Sequence, residues 1–209
     1  MTWKKFYLWT RDLHLYFGLL ISPFVLVFAI SVFFLNHPGL PLGGSETKKQ
    51  KTMTFQLPLG LEQSQGADRL DKIRQVMRQT GVTGEVNFIR YLPKEHRMIV
   101  PAVKPGLETT LDIDFRQSTV LCEQRNTGIW DGMIYLHKSP GPHNHAIRGN
   151  WFYTRVWRWL VDAITYLLLF ITVSGVYLWA VLKAERKVGL ALLAAGIVSF
   201  FGVIYALAG

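Results

Sequence analysis

Three long runs of uncharged, mostly apolar residues constrain this sequence more than any other feature. Leu15 to Asn36 and Val188 to Gly209 each hold 22 residues without a formal charge. At a rise of about 1.5 Å per residue, each run as a helix covers a hydrocarbon core of about 30 Å. Leu160 to Leu182 is a third run, interrupted only by Asp162 in its first turn. The pattern predicts a membrane protein with three transmembrane helices, surrounded by lipid.

The first run does not fit a cleaved signal peptide. The apolar part of a signal is about 7–15 residues long, and no small-residue cleavage site follows this run. We therefore expect residues 1–37 to form an interfacial segment and a retained transmembrane helix.

Basic residues flank the predicted spans. The formal net charge is +9, which in a soluble protein would suggest nucleic acid as a partner. Here the clusters are Lys4, Lys5 and Arg11 before the first span, and Lys183, Arg186 and Lys187 between the last two. This positive-inside pattern places the N-terminus in the cytoplasm of a bacterial cell, with no nucleic-acid partner, and the long segment after His37 in the periplasm.

The segment between the first two spans predicts a small α+β domain. Apolar residues at helical spacing follow Asp68 up to Thr80, and Leu107–Phe115 alternates as a half-buried strand does. Further strands are expected at Glu85–Leu92, Arg97–Val103 and Val120–Gln124. The predicted organisation is a linker at 38–67, the α+β domain at 68–126, an amphipathic helix with an aromatic interface segment at 127–158, and further spans at 159–183 and 188–209.

Histidines are the side chains most able to carry chemistry. His14 begins the first span and His37 ends it, about 35 Å apart along a helix. His137 falls on the apolar face of the helix expected at Gly128–Lys138, near the level of His37. Two imidazoles from separate helices make a low-spin b-type haem site, so His37 and His137 are candidate axial ligands. The alternative is that they are helix-end and core histidines.

Other groups carry weaker indications. His143 and His145 could bind copper or zinc, or simply lie in a solvated loop. Asp162 either has a function or pairs with Arg158 one turn earlier. Ala191, Ala195 and Ser199 recur every four residues, which favours packing within the bundle or a homo-oligomer. No catalytic residue is identified.

Short motifs carry a resemblance to a known family. They are Arg11–Leu19 at the first span, Ile134–Lys138 before the second, and Thr172–Trp179 near its end. Together with the α+β segment, their order and spacing resemble the PepSY-associated transmembrane-helix proteins, which include iron-regulated inner-membrane proteins and ferric-siderophore reductases.

The resemblance implies a PepSY-like periplasmic domain and haem-ligand positions at His14 and His137. Larger family members carry a fourth span and a further histidine, whereas 188–209 contains none. A partner for His14 on its own side of the membrane would then come from a second subunit. The preferred pair on the far side remains His37 with His137, and His37 rests on spacing alone.

Two functions are consistent with these patterns. The first is an inner-membrane protein with haem b that passes electrons to a periplasmic acceptor such as ferric-siderophore iron, which would make it a membrane ferric reductase. The second is a non-catalytic accessory subunit of a larger membrane complex, whose PepSY-like module binds a partner protein.

Overall fold

The structure is a computed structural model that describes residues 3–37, 48–54, 56–139, 147, 149–182 and 185–208. The chain divides into two compact units, Met1–Pro23 with Ile164–Gly209, and Phe24–Ala163. The elements are α1 (Trp3–Asn36), β1 (Lys48–Thr54), α2 (Gly66–Thr80), β2 (Glu85–Val86), β3 (Arg90–Leu92), β4 (Arg97–Lys104), β5 (Leu107–Asp114), β6 (Thr119–Asn126), α3 (Gly128–Lys138), α4 (Phe152–Leu182) and α5 (Arg186–Ala208).

Three helices are long and apolar enough to cross a membrane, namely α1, α4 and α5. The three predicted spans are therefore confirmed. The aromatic segment before residue 159 was expected to precede the second span, but α4 already begins at Phe152. Its aromatic residues occupy the first helical turns, because nothing between Phe152 and Trp159 interrupts helical hydrogen bonding.

The first unit joins the beginning of α1 to the later part of α4 and to α5. Phe6 meets Tyr177, and Phe17 meets Phe170, each pair edge to face with centroids 5.5 Å apart. In lipid the hydrophobic effect does not drive helices together, so helix association depends on packing contacts such as these.

The second unit contains a six-stranded antiparallel sheet with the order β1-β6-β5-β4-β2, in which β3 also pairs with β4. Helix α2 contributes four buried residues to its core, Leu70, Ile73, Val76 and Met77. The helix ends where Gly81 adopts φ +71°, a left-handed conformation that suits glycine. One helix on one antiparallel sheet confirms the predicted α+β domain.

Strand β1 corrects the prediction that 38–67 is only a linker. It pairs along its whole length with β6, from Lys48 opposite Arg125 to Thr54 opposite Thr119. Its sequence, KKQKTMT, lacks the apolar alternation of a half-buried strand because β1 lies at the edge of the sheet. Charged residues are common on edge strands, where they oppose pairing with other chains.

The strand expected at Glu85–Leu92 is divided into β2 and β3. Val86 pairs with Ala102 and Arg90 with Ile99, so one extra residue is accommodated between them. Pro101 lies opposite the gap and has no N–H to donate, although its carbonyl accepts a bond from Asn87 N at 2.9 Å. A bulge at such a position is the usual solution.

Helix α3 packs tightly on the turn between β4 and β5. A Cβ added at Gly132 would lie 2.9 Å from the backbone nitrogen of Gly106 and 3.2 Å from the carbonyl carbon of Pro105. Only a residue without a side chain permits this approach, so Gly132 sets the position of α3.

We predict that Gly132→Ala lowers the free energy of unfolding by about 1–3 kcal/mol, because α3 or the turn must move. Thermal unfolding of the detergent-purified protein measures the change. Gly196→Ala in α5 is the matched control, since its added Cβ meets nothing within 4 Å. Equal unfolding temperatures for the two variants would contradict this account of Gly132.

A carboxylate ties the turn before α2 to the sheet. Glu62 accepts hydrogen bonds from the Tyr91 hydroxyl at 2.6 Å and from His96 Nδ1 at 2.8 Å. The bond from Tyr91, followed by that from His96, lowers the pKa of Glu62 below its ordinary value of 4.5. The ionised carboxylate therefore stabilises the folded domain.

A carboxylate with a lowered folded-state pKa contributes stability above its unfolded pKa and loses it as the pH falls through the folded value. We predict that Glu62→Gln lowers the unfolding temperature at pH 7, and that the difference from the wild type shrinks as the pH falls below 4.5. Unfolding followed between pH 7 and pH 3 measures this. A difference that stays constant across that range would contradict the role of the carboxylate.

Candidate functional site: histidines held by their Nδ1 atoms

Helix α3 is held from two directions within the second unit. The ring of Trp130 lies 4.4 Å from that of Phe34 on α1. The indole Nε1 of Trp157, in the first turns of α4, donates to the carbonyl of Leu136 at 3.1 Å. Together with the contact at Gly132, these interactions fix the side of α3 that carries His137.

His137 bonds to a hydroxyl inside the membrane-spanning sequence. Its Nδ1 lies 3.1 Å from Ser31 Oγ, and the Ser31 side chain is 1% exposed. The Ser31 hydroxyl donates its only hydrogen to the Phe28 carbonyl at 2.7 Å. With that hydrogen on the carbonyl, Ser31 Oγ accepts from the imidazole, and a neutral ring that donates from Nδ1 carries its lone pair on Nε2.

The Nε2 atom of His137 is the reactive end of this arrangement. Within the described part of the chain, His137 makes no hydrogen bond besides that to Ser31. The His137 side chain is half-buried. An imidazole whose other nitrogen is fixed by a hydrogen bond is the usual form of a metal-ligating histidine.

His14 repeats this arrangement within the first unit. Its Nδ1 lies 2.8 Å from Ser174 Oγ on α4, and the Ser174 hydroxyl bonds to the Ile171 carbonyl at 3.2 Å. The ring also lies beside Gly175, where an added Cβ would be 3.4 Å from Cε1 of the imidazole. The positions implied by the family resemblance, His14 and His137, thus share one local geometry.

His37 lies in a different environment. Its Nδ1 donates to the carbonyl of Phe33 at 2.8 Å, and its ring stacks on that of Phe33 at 4.5 Å. Residue 37 is exposed and lies about 120° around the helix from Ser31. The structure does not bring His37 into contact with His137, whose partner on α1 is Ser31.

An apolar cavity of about 680 Å³ lies beside α3. Its walls include Phe24 and Phe28 of α1, Met133 and Leu136 of α3, and Trp157. The volume is in the range of cofactor pockets. His137 does not line the cavity, but its ring meets Phe28 edge to face with centroids 5.5 Å apart. The Phe28 side chain therefore both contacts the imidazole and lines the cavity.

The other candidates from the sequence are His143, His145 and Asp162. His143 and His145 lie outside the described residues, so the proposed copper or zinc site stays a prediction. No group of three or more His, Cys, Asp or Glu that could hold a metal occurs in the part of the chain that the structure describes. Asp162 is exposed on α4, and no ion pair with Arg158 is found among the described residues.

Sequence reasoning missed Ser31 and Ser174. Both are nearly fully buried, at 1% and 4% exposure, and both lie in apolar runs. A hydroxyl within a membrane span can satisfy itself on its own helix, so its presence alone does not indicate a histidine partner. The sequence signal that could have identified them is a hydroxyl residue within an apolar span together with a histidine on another predicted helix.

The comparisons with known proteins agree with this architecture. No curated protein and no solved structure matches the chain. A family model described as "Putative PepSY_TM-like" matches residues 8–208, which include most of α1, the α+β domain, α4 and α5. The resemblance to the PepSY-associated transmembrane proteins is thereby confirmed, and the chain belongs to the putative PepSY_TM-like family.

Proposed function

We propose that this protein is an inner-membrane electron-transfer protein that holds a b-type haem through Nε2 of His137. In this proposal the N-terminus is cytoplasmic, the PepSY-like domain is periplasmic, and the electron acceptor is an oxidised periplasmic species such as ferric-siderophore iron. The observation that carries the proposal is the relay from His137 Nδ1 through Ser31 Oγ to the Phe28 carbonyl.

The donor chemistry fits haem iron. A neutral imidazole with its proton on Nδ1 offers its Nε2 lone pair to a metal, and a partner on Nδ1 increases the basicity of that lone pair. The neighbouring cavity supplies apolar walls from Phe24, Met133 and Trp157. These are the surroundings in which a macrocycle is kept from water.

The chain's own residues would divide the work. His137 would hold the iron, Ser31 would fix the orientation of the imidazole, and Phe28, which contacts the imidazole and lines the cavity, would form part of the apolar surroundings of the haem. A bound haem supplies reversible one-electron chemistry. His14 with Ser174 offers the same donor set in the other unit, so a second haem there is part of the proposal.

Each of these two sites offers one imidazole among the described residues. A second ligand to a haem held by His137 would come from outside the described residues or from a second subunit. The spin state of the iron distinguishes five-coordinate from six-coordinate haem, because two strong axial ligands give low-spin spectra.

We predict that the protein purified from haem-replete cells shows the reducible absorbance bands of a b-type haem, and that His137→Ala loses at least half of them. His37→Ala is the control, because His37 faces another side of α1. A colourless wild-type preparation contradicts the proposal. Loss of the bands in His37→Ala but not in His137→Ala contradicts our choice of ligand.

We further predict that Ser31→Ala weakens haem retention by about 10–100-fold, because the imidazole loses the partner that orients it. Haem content after titration with a competing haem-binding protein gives the ratio. Ser22→Ala is the matched control on the same helix, since the Ser22 hydroxyl donates to the Leu19 carbonyl and has no histidine partner among the described residues. Equal retention in the two variants would show that Ser31 has no positioning role.

A second function is favoured by one observation on α5. No residue described in this helix is buried within its own chain. A span that buries none of its described residues within its own chain leaves most of its surface for lipid or for another protein. We propose as the alternative a non-catalytic accessory subunit, and a stoichiometric partner that co-purifies with haem-free protein would decide for it.

A further inference from the structure

A cleft of about 430 Å³ opens on the α+β domain, and no histidine is among the described residues that line it. It lies where α2 ends and the sheet continues beyond it. Three lysines line it, Lys49 and Lys51 from β1 and Lys104 from the end of β4, together with polar side chains that include Thr80, Thr83 and Gln124. No aspartate or glutamate is among the lining residues.

Strand register places the lysines on the core-facing side of the sheet. Lys51 is paired with Cys122 and Lys49 with Gln124, and Cys122 belongs to the buried core. Residues two apart on a strand share a face and lie about 7 Å apart. Lys104 likewise continues the face of buried Ala102 on β4. The side chains of all three lysines therefore lie on the same face of the sheet as the core that α2 covers.

The end of α2 does not neutralise them. The carbonyls of Val76, Met77 and Arg78 already accept bonds from the Thr80 hydroxyl and from the Val82 and Gly81 nitrogens. Lys104 Nζ donates to Thr83 Oγ1 at 3.3 Å, a neutral group. Within the described residues, none of the three lysines forms an ion pair.

Three like charges in one cleft repel one another unless an anion joins them. The Thr83 hydroxyl accepts from Lys104, so its own hydrogen remains available for such an anion. Burial raises the pKa of the Cys122 thiol, which keeps the floor of the cleft neutral.

We propose that this cleft binds a small organic anion with two or three carboxylate groups. Lysines are flexible point charges that suit separated carboxylates. Phosphate sites are typically built from helix N-termini, whereas this cleft adjoins the C-terminal end of α2. The volume accommodates a molecule of several carbons, and the inference does not depend on haem.

Citrate is the probe, titrated calorimetrically into the detergent-purified full chain at pH 7.5 and constant ionic strength. Saturable binding is expected, with Lys51→Gln and Lys104→Gln each weakening it by about tenfold, which corresponds to one lost charge-assisted contact. Lys94→Gln is the control, because Lys94 is exposed in the turn after β3 and lies outside the cleft.

Lys51 and Lys104 come from different strands, so one variant tests the site even if the other unfolds. Acetate and inorganic phosphate, at matched ionic strength, are expected to bind at least tenfold more weakly than citrate. Absence of saturable citrate binding overturns the proposal, and so does citrate binding that is unaffected in both cleft variants. Phosphate binding as tight as that of citrate overturns the assignment to carboxylates.

Discussion

Polar groups inside a membrane-spanning helix need partners within the protein, and in the second unit this requirement is met where α3 contacts α1. The imidazole of His137 donates to Ser31, and Ser31 donates to the carbonyl of Phe28. Because unsatisfied polar groups are costly in an apolar environment, this relay specifies one orientation of α3. The approach of Gly132 to the β4–β5 turn then links that orientation to the sheet.

The same relay has a chemical consequence. It engages Nδ1 of His137, which leaves Nε2 as the nitrogen that a neutral ring can offer to a ligand. His14 acquires the same property from Ser174, although the two histidines lie on different helices and in different units. A geometry that recurs at two separate positions is more informative than either histidine alone. The two positions implied by the family resemblance, His14 and His137, thus have the same type of hydrogen bond, from imidazole Nδ1 to a serine hydroxyl.

The α+β domain carries a separate feature, the lysine-lined cleft. Its core is apolar and covered by α2, yet the sheet extends beyond the helix with lysines on the same face. On an edge strand, inward charges also oppose aggregation. Protection of an edge can explain Lys49 and Lys51, whereas Lys104 is the last residue of β4, a central strand, and protects no edge.

Much of the fold was determined by local sequence alone. Hydropathy over about 20 residues identified all three spans, and helical or alternating periodicity identified α2, α3 and strands β4 to β6. Strand β1 could not be found in this way, because an edge strand needs no apolar face and its existence depends on pairing with β6, some 70 residues later. The gap between β2 and β3 likewise depends on Pro101 of the neighbouring strand.

Histidines 14 and 137 were evident as candidates, but only the tertiary structure decided which side chain each one contacts, since Ser31 and His137 are 106 residues apart. Hydrogen bonds between distant segments leave no local pattern, and for that reason the orientation of each imidazole was decided by the packing of the helices.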